Sequence, residues 1–281
     1  MASAALDGEK KRKNPRRGMY VLPSLFTAGN IAAGYYAITE SIRGASGDPN
    51  AFNRAALAIG FAVMFDGLDG RVARMTDTSS DFGREFDSLA DVITFGVAPS
   101  LLAYLWGVQA VLPSAYPAVQ DRLHNLGIVI CFLFLISGAC RLARFNISVN
   151  PQPGNPGRPG RKYFVGMPIP AGAGVIAAVV HYELGSPIHD VWMSAIWLLL
   201  IGFTGFLMVS NWRFWSGKEL NFTEAQPVRG VLLLLLVARA LVIWLSQWAL
   251  IIIAMVYLLS GVLARLAYSW GKRSGRNVIS S

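Results

Sequence analysis

Leu126–Phe145 reads LGIVICFLFLISGACRLARF, a twenty-residue run whose first charged residue is Arg141. A helix needs about 20 mostly apolar residues to cross a bilayer, so this run predicts a membrane span. Seven other stretches read the same way, at 20–42, 54–74, 85–112, 164–183, 190–209, 229–246 and 248–268. The last two are joined so closely that a hairpin and a single broken helix both stay open. Composition agrees. Of 281 residues, 54% are hydrophobic and 15% charged, against about 25% charged in soluble domains. The expectation is an all-α, polytopic transmembrane helix bundle of about eight spans.

The net charge is +9, and its placement decides its meaning. Lys10, Lys11, Arg12, Lys13, Arg16 and Arg17 precede the first span. With that end inside, the outside segments hold only Arg43, Arg54 and Arg122. Such a bias puts both termini in the cytoplasm and suits an inner, cytoplasmic membrane. The basic residues form no soluble face, which argues against a nucleic-acid partner. The first apolar run is too long for a cleavable leader and lacks a small-residue cleavage site. Cys131 and Cys140 lie nine positions apart in one apolar run, on different helix faces, and neither a disulfide nor a metal pair is expected. We expect a basic N-terminal segment at 1–19, one membrane domain at 20–270 and a cytoplasmic tail at 271–281. The Pro/Gly/Arg-rich stretch 146–163 is a loop within that domain.

The second and third runs hold residues that lipid should exclude. Asp66 and Asp69 are spaced i,i+3, and Asp87 and Asp91 are spaced i,i+4, so each pair shares a helix face. A carboxylate at membrane depth costs several kcal/mol unless paired, and marks a functional site by default. If the two helices are antiparallel about a turn near Thr78, the four acids meet in two layers, roughly 13–20 Å from the turn at about 1.5 Å per residue. Four negative charges need cations there. Oxygen donors without His or Cys select hard ions, Mg²⁺, Mn²⁺ or Ca²⁺. Plain ion pairing with Arg71, Arg74 and Arg84 is the simpler reading, but Arg71 and Arg84 can snorkel to the surface, leaving acids in excess. Gly67, Gly70, Ala73 and Gly83 flank the acids. Something bulky approaching the backbone is one reading of them; helix contact is the plainer alternative for Gly67, while for Gly70 and Ala73 a ligand suits at least as well, with Arg74 placed to hold a phosphate.

The arrangement is Asp66, Gly67, Asp69, Gly70, Ala73 and Arg74, then Gly83 after eight further residues, then Asp87 and Asp91 each after three more. This spacing resembles the signature of the CDP-alcohol phosphotransferases. Further blocks resemble the bacterial phosphatidylserine synthase branch of that family: Ser80–Gly83, Phe86–Asp91, Phe95–Pro99, Arg141–Asn146 and Gly166–Ala171. The phosphatidylglycerophosphate branch usually carries Lys after the last Asp, where this chain has Val92. One departure is Ser24 after Pro23, where the family often has Asn. The resemblance covers about residues 20–175, with little family signal after about 210.

The resemblance implies transfer of a phosphatidyl group from CDP-diacylglycerol to L-serine with release of CMP, by a homodimer in the bilayer. It implies that Asp66, Asp69 and Asp87 bind two divalent ions, Mg²⁺ or Mn²⁺, with Asp91 sharing the second and acting as general base. Gly67, Gly70, Ala73, Arg74 and Gly83 would cradle the nucleotide, with Thr27 and Asn30 adding polar contacts. Those two equally suit interhelical hydrogen bonds. Arg141 and Arg144 are spaced to grip one anion, the serine carboxylate or a lipid phosphate, and equally suit anchors at the membrane surface. Sister enzymes using glycerol phosphate, inositol, inositol phosphate or choline remain open, as does a divalent-cation transporter.

Overall fold

A computed structural model describes residues 21–76, 81–111, 117–149, 163–215 and 247–276. The expected span at 229–246, the turn at Thr78 and most of the Pro/Gly/Arg-rich loop lie outside them. The described residues form a bundle of helices. These are α1 (Val21–Ala45), α2 (Ala51–Thr76), α3 (Asp81–Asp91), α4 (Ala98–Tyr104), α5 (Pro117–Val149), α6 (Ile169–Tyr182), α7 (Val191–Val209) and α8 (Gln247–Arg276). Among the described residues, three helices are long and apolar enough to cross a membrane, Phe82–Gln109, Ala118–Ile147 and Val191–Val209, and Ile169–Tyr182 and Gln247–Leu263 are shorter apolar helices.

The rod Phe82–Gln109 is α3 and α4 joined by a wider π-helical turn at Val92–Val97 and continued by another at Leu105–Gln109. Pro99 explains the first. It has no N–H for the carbonyl four residues back, and the chain widens there, with Ala98 N–H bonded to Ile93 O, five residues back. Such turns recur next to functional sites, and this one begins directly after Asp91.

Helix ends follow local chemistry. Asp48 Oδ1 accepts from Asn50 N–H at 3.1 Å in the α1–α2 turn. Asp190 caps α7 by accepting from the N–H groups of Trp192 and Met193, both at 2.9 Å, a favoured N-cap arrangement. At this end of the bundle, Glu40 is 1% exposed and is held by Arg43 at 2.9 Å and Arg54 at 2.6 Å. Arg54 also reaches Asp48 at 2.6 Å. A buried carboxylate is tolerable only when paired in this way, and the pairing fastens α1 to α2.

Small residues bring the helices close. Ala37, Ala55, Ala56 and Ala62 are buried, giving the tight contact typical of membrane bundles. Large apolar side chains point outward, among them Trp192, Ile196, Leu199 and Phe206 on α7 and Ile128, Phe132 and Ile136 on α5. Lipid, in which apolar surface costs nothing to expose, accounts for that inversion.

One element departs from the apolar pattern. The run beginning at 164 suggests a helix from its first residue, but α6 starts only at Ile169. Pro168 is extended, with ψ 143°. The preceding residues Tyr163–Val165 form strand β1, antiparallel to β2 (Arg213–Trp215), in the register Tyr163↔Trp215, Phe164↔Phe214 and Val165↔Arg213. Gly166, at φ 78°, donates to Trp212 O at 2.9 Å, and Met167 N–H donates to Leu207 O at 3.0 Å. These links weld the start of α6 to the end of α7, and α8 packs on β2.

Candidate active site

Asp66 on α2 and Asp87 and Asp91 on α3 converge, each offering a carboxylate oxygen within 4.8 Å of the others. Asp91 is buried, and Asp66 and Asp87 are half-buried. Among the described residues no other group of His, Cys, Asp or Glu side chains gathers so closely. Asp69 sits one turn beyond Asp66 on α2. The side chains of Asp69, Gly70, Ala73 and Arg74 lie outside the described residues, although the α2 backbone carries all four.

Three carboxylates this close repel one another unless a cation joins them. The Oδ1 atom of Asp87 is buried and has no hydrogen-bond partner among the described residues. Leaving such an oxygen unsatisfied costs about 1–3 kcal/mol, more if charged. The donors are all carboxylate oxygens, the set preferred by hard divalent ions. Beside Asp66, the exposed Gly67 faces open space, with nothing within 4 Å of where a Cβ would stand. The residues present therefore fit a divalent ion with a ligand alongside.

α1 supplies the next wall. Thr94 Oγ1, in the π-helical turn after Asp91, donates to Asn30 O at 3.0 Å. The approach is possible because Gly34 lacks a side chain; a Cβ there would lie 2.6 Å from Thr94 Oγ1. Thr27 and Asn30 are both buried on α1. Asn30 Nδ2 and Oδ1 have no hydrogen-bond partner among the described residues. A buried amide with neither end satisfied is a costly arrangement that a polar ligand or water would relieve. Gly83 is half-buried in the first turn of α3.

The two arginines of α5 part company. Arg141 is 6% exposed, lies with its Cζ 5.1 Å from the Phe145 ring centre, and interacts electrostatically with Tyr257, Asp91, Arg144 and Asp66. Arg144 turns to the backbone. Its Nη1 donates to Val209 O at 3.2 Å and Asn211 Oδ1 at 3.3 Å, and its Nη2 donates to Val165 O at 3.3 Å, Met208 O at 3.5 Å and Ser210 O at 3.2 Å. It thus satisfies carbonyls at the end of α7, where a helix leaves acceptors without intrahelical partners.

Two features of the site escape the sequence reading. Asn146 Nδ2 donates to Ser88 Oγ at 2.8 Å, and Ser88 Oγ donates to Arg84 O at 2.9 Å, pinning the end of α5 beside Asp87. Tyr257 comes from α8, beyond the part of the chain with recognisable signal. The only hint in the sequence is a phenol within the apolar run Ala249–Gly261. Cys131 and Cys140 are free thiols.

Comparison with known proteins agrees with this geometry. The family model described as CDP-alcohol phosphatidyltransferase matches residues 20–201. A Helicobacter pylori protein named CDP-diacylglycerol–serine O-phosphatidyltransferase is 35% identical over 249 residues, 89% of this chain and 92% of its own. A Mycobacterium bovis protein of the same name is 32% identical over 253 residues, 86% of this chain and 79% of its own. One from Methanocaldococcus jannaschii is 36% identical over 153 residues, 54% of this chain and 59% of its own. The match spans the helices that carry the aspartates, and the chain belongs to the CDP-alcohol phosphatidyltransferase family.

Proposed function

We propose that this chain transfers the phosphatidyl group of CDP-diacylglycerol to L-serine, giving phosphatidylserine and CMP. The observation that carries the reading is the cluster of Asp66, Asp87 and Asp91 within 4.8 Å, in a chain similar over 89% of its length to a serine transferase. Mg²⁺ or Mn²⁺ held by Asp66, Asp69, Asp87 and Asp91 would neutralise the pyrophosphate and stabilise charge on departing CMP.

The chain's own residues do the rest. Asp91 accepts the proton of the serine hydroxyl on a carboxylate oxygen, acting as general base. The freed oxygen forms a bond to the phosphatidyl phosphorus while the bond from that phosphorus to the CMP oxygen breaks. Gly67, Gly70, Ala73 and Gly83 leave room for the nucleotide, and Arg74 holds a phosphate. Thr27 and Asn30 offer polar groups to the same ligand. Arg141 faces the acceptor, a cation for the serine carboxylate, and Arg144 secures the backbone behind it.

The protein works as a multi-pass enzyme of the inner membrane, with eight spans, both termini in the cytoplasm and one membrane domain over 20–270. Its site faces the cytoplasm, so that water-soluble serine and membrane-bound lipid arrive from their own phases. It acts as a homodimer. The test is CMP release by purified protein given CDP-diacylglycerol, Mg²⁺ or Mn²⁺, and one alcohol at a time. Release with serine alone, stopped by a chelator, is the expected result. Release with glycerol phosphate, inositol, inositol phosphate or choline instead would overturn serine as acceptor. Metal flux in liposomes without CMP release would favour transport.

A further inference from the structure

Thr94 departs from a habit that other helical hydroxyls of this chain keep. Ser41, Ser88, Ser100, Thr204 and Ser260 each donate to a carbonyl three or four positions back in their own helix, the ordinary outlet for such a group. Thr94 is fully buried in the widened turn that follows Asp91. Its hydroxyl crosses to α1 instead and donates to Asn30 O at 3.0 Å.

The crossing depends on a second residue. Gly34 stands one turn along α1 from Asn30 and is buried. A Cβ there would lie 2.6 Å from Thr94 Oγ1 and 2.8 Å from Thr94 Cα. The second overlap is with backbone, so no change of rotamer relieves it and the helices would have to part. One glycine sets the approach of α1 to this turn, and one hydroxyl makes the bond across it.

What the bond holds follows from the other fastenings. The rod that carries Asp87, Asp91 and Thr94 is tied to α5 by Asn146 Nδ2 donating to Ser88 Oγ at 2.8 Å. It is tied to α7 by Trp197 Nε1 donating to Ala103 O at 3.0 Å and Ser194 Oγ donating to Gly107 O at 2.5 Å. These bonds hold the rod, and its two aspartates with it, without help from α1. For its part, α1 is fastened to α2 where Glu40 meets Arg54 at 2.6 Å. That pair lies ten residues, or about 15 Å, from Asn30. Thr94 fastens the other half of α1, beside the turn that begins after Asp91. What α1 brings there is Thr27 and Asn30. The Asn30 amide is 1% exposed, with no hydrogen-bond partner for Nδ2 or Oδ1 among the described residues. An amide kept open for a ligand must be held at a fixed height and rotation, and a bond to its own backbone carbonyl does both.

We infer that Thr94 is a positioning residue for the donor substrate: it sets Asn30, and the half of α1 around it, against the turn after Asp91, so that α1 meets the nucleotide of CDP-diacylglycerol. The inference rests on the proposed function, which gives Thr27 and Asn30 to that nucleotide. Thr94→Val keeps the shape of the side chain and removes the hydroxyl. The KM for CDP-diacylglycerol, and its Kd by titration, should rise about twofold to tenfold, the range for one hydrogen bond. The KM for L-serine and the half-saturating metal concentration should stay as in the wild type. Thr94→Ser, which keeps the hydroxyl, should bring the donor KM back towards the wild-type value. Gly34→Ala should reproduce the donor defect at larger size, with the unfolding midpoint in detergent as the check on folding. An unchanged donor KM in Thr94→Val overturns the inference alone. So does a serine KM raised by the same factor, a lowered midpoint with both KM values unchanged, or a Thr94→Ser protein as defective as Thr94→Val, since each marks a structural role. Asn30→Leu with a wild-type donor KM overturns the placing of the nucleotide beside α1. A wild-type protein that releases no CMP with any alcohol overturns the transfer reading, and the inference falls with either.

Discussion

Replacing Arg144 by methionine keeps most of the aliphatic stem and removes the guanidinium. Five acceptors lose a donor: the carbonyls of Val165, Met208, Val209 and Ser210, and Asn211 Oδ1, at 3.2–3.5 Å. These contacts are long, and Arg144 is half-buried, so some of the carbonyls regain water. Counting one of the five as rehydrated and taking about 0.5–1 kcal/mol for each of the other four, at the weak end of the range for hydrogen bonds, the loss is about 2–4 kcal/mol. At about 2–4 °C per kcal/mol for a chain of this size, the unfolding midpoint in detergent should fall by about 5–15 °C. Arg144→Lys should recover little of it, because an ammonium cannot span acceptors on both sides of the β1–β2 pair as a planar fork does. The assay is thermal unfolding followed by intrinsic tryptophan fluorescence, with serine KM measured below the transition. A midpoint within about 1 °C of wild type together with a raised serine KM would refute the reasoning and place Arg144 on the substrate.

Asp91→Asn should abolish turnover while metal-dependent binding of CDP-diacylglycerol stays measurable by titration, and wild-type turnover would remove Asp91 as the base. Asp87→Asn should raise the half-saturating metal concentration at least about tenfold, the scale on which metal sites respond to losing a supporting group; an unchanged metal requirement would remove Asp87 from the ligand set. At the opposite end of the bundle, the hydrogen bond from Arg54, helped by Asn50 N–H, holds the Asp48 carboxyl below its ordinary range. A depressed carboxyl contributes stability that is present above the unfolded pKa and is lost as pH falls through the folded one. Thermal midpoints should therefore drop below about pH 4, and less steeply in Asp48→Asn; parallel curves would deny Asp48 that role.

Much of the site was readable as a list of residues because membrane burial makes charge conspicuous. A carboxylate in Leu126–Phe145 would have stood out as Asp66 and Asp91 do in their own runs. The i,i+3 and i,i+4 spacings then follow from helix geometry alone, and they put each pair on one face. Helix positions were readable for the same reason: α1, α2, α5 and α7 each contain most of an expected apolar run. What a run of apolar residues cannot encode is where hydrogen bonding changes type. The β1–β2 pair and the late start of α6 depend on Pro168 and on a partner strand some fifty residues away, and the widened turn after Asp91 depends on Pro99.

The division has a physical basis. Local pattern determines which segments can cross a bilayer and which acids share a helix face, because solvation cost and helical period act on a residue and its near neighbours. Long-range packing alone decided that Arg141 turns inward while Arg144, one turn later, grips the backbone of α7. It also decided that Phe214 of β2 fills the notch left by Gly261 on α8, because contacts between distant segments leave no period in the sequence to read.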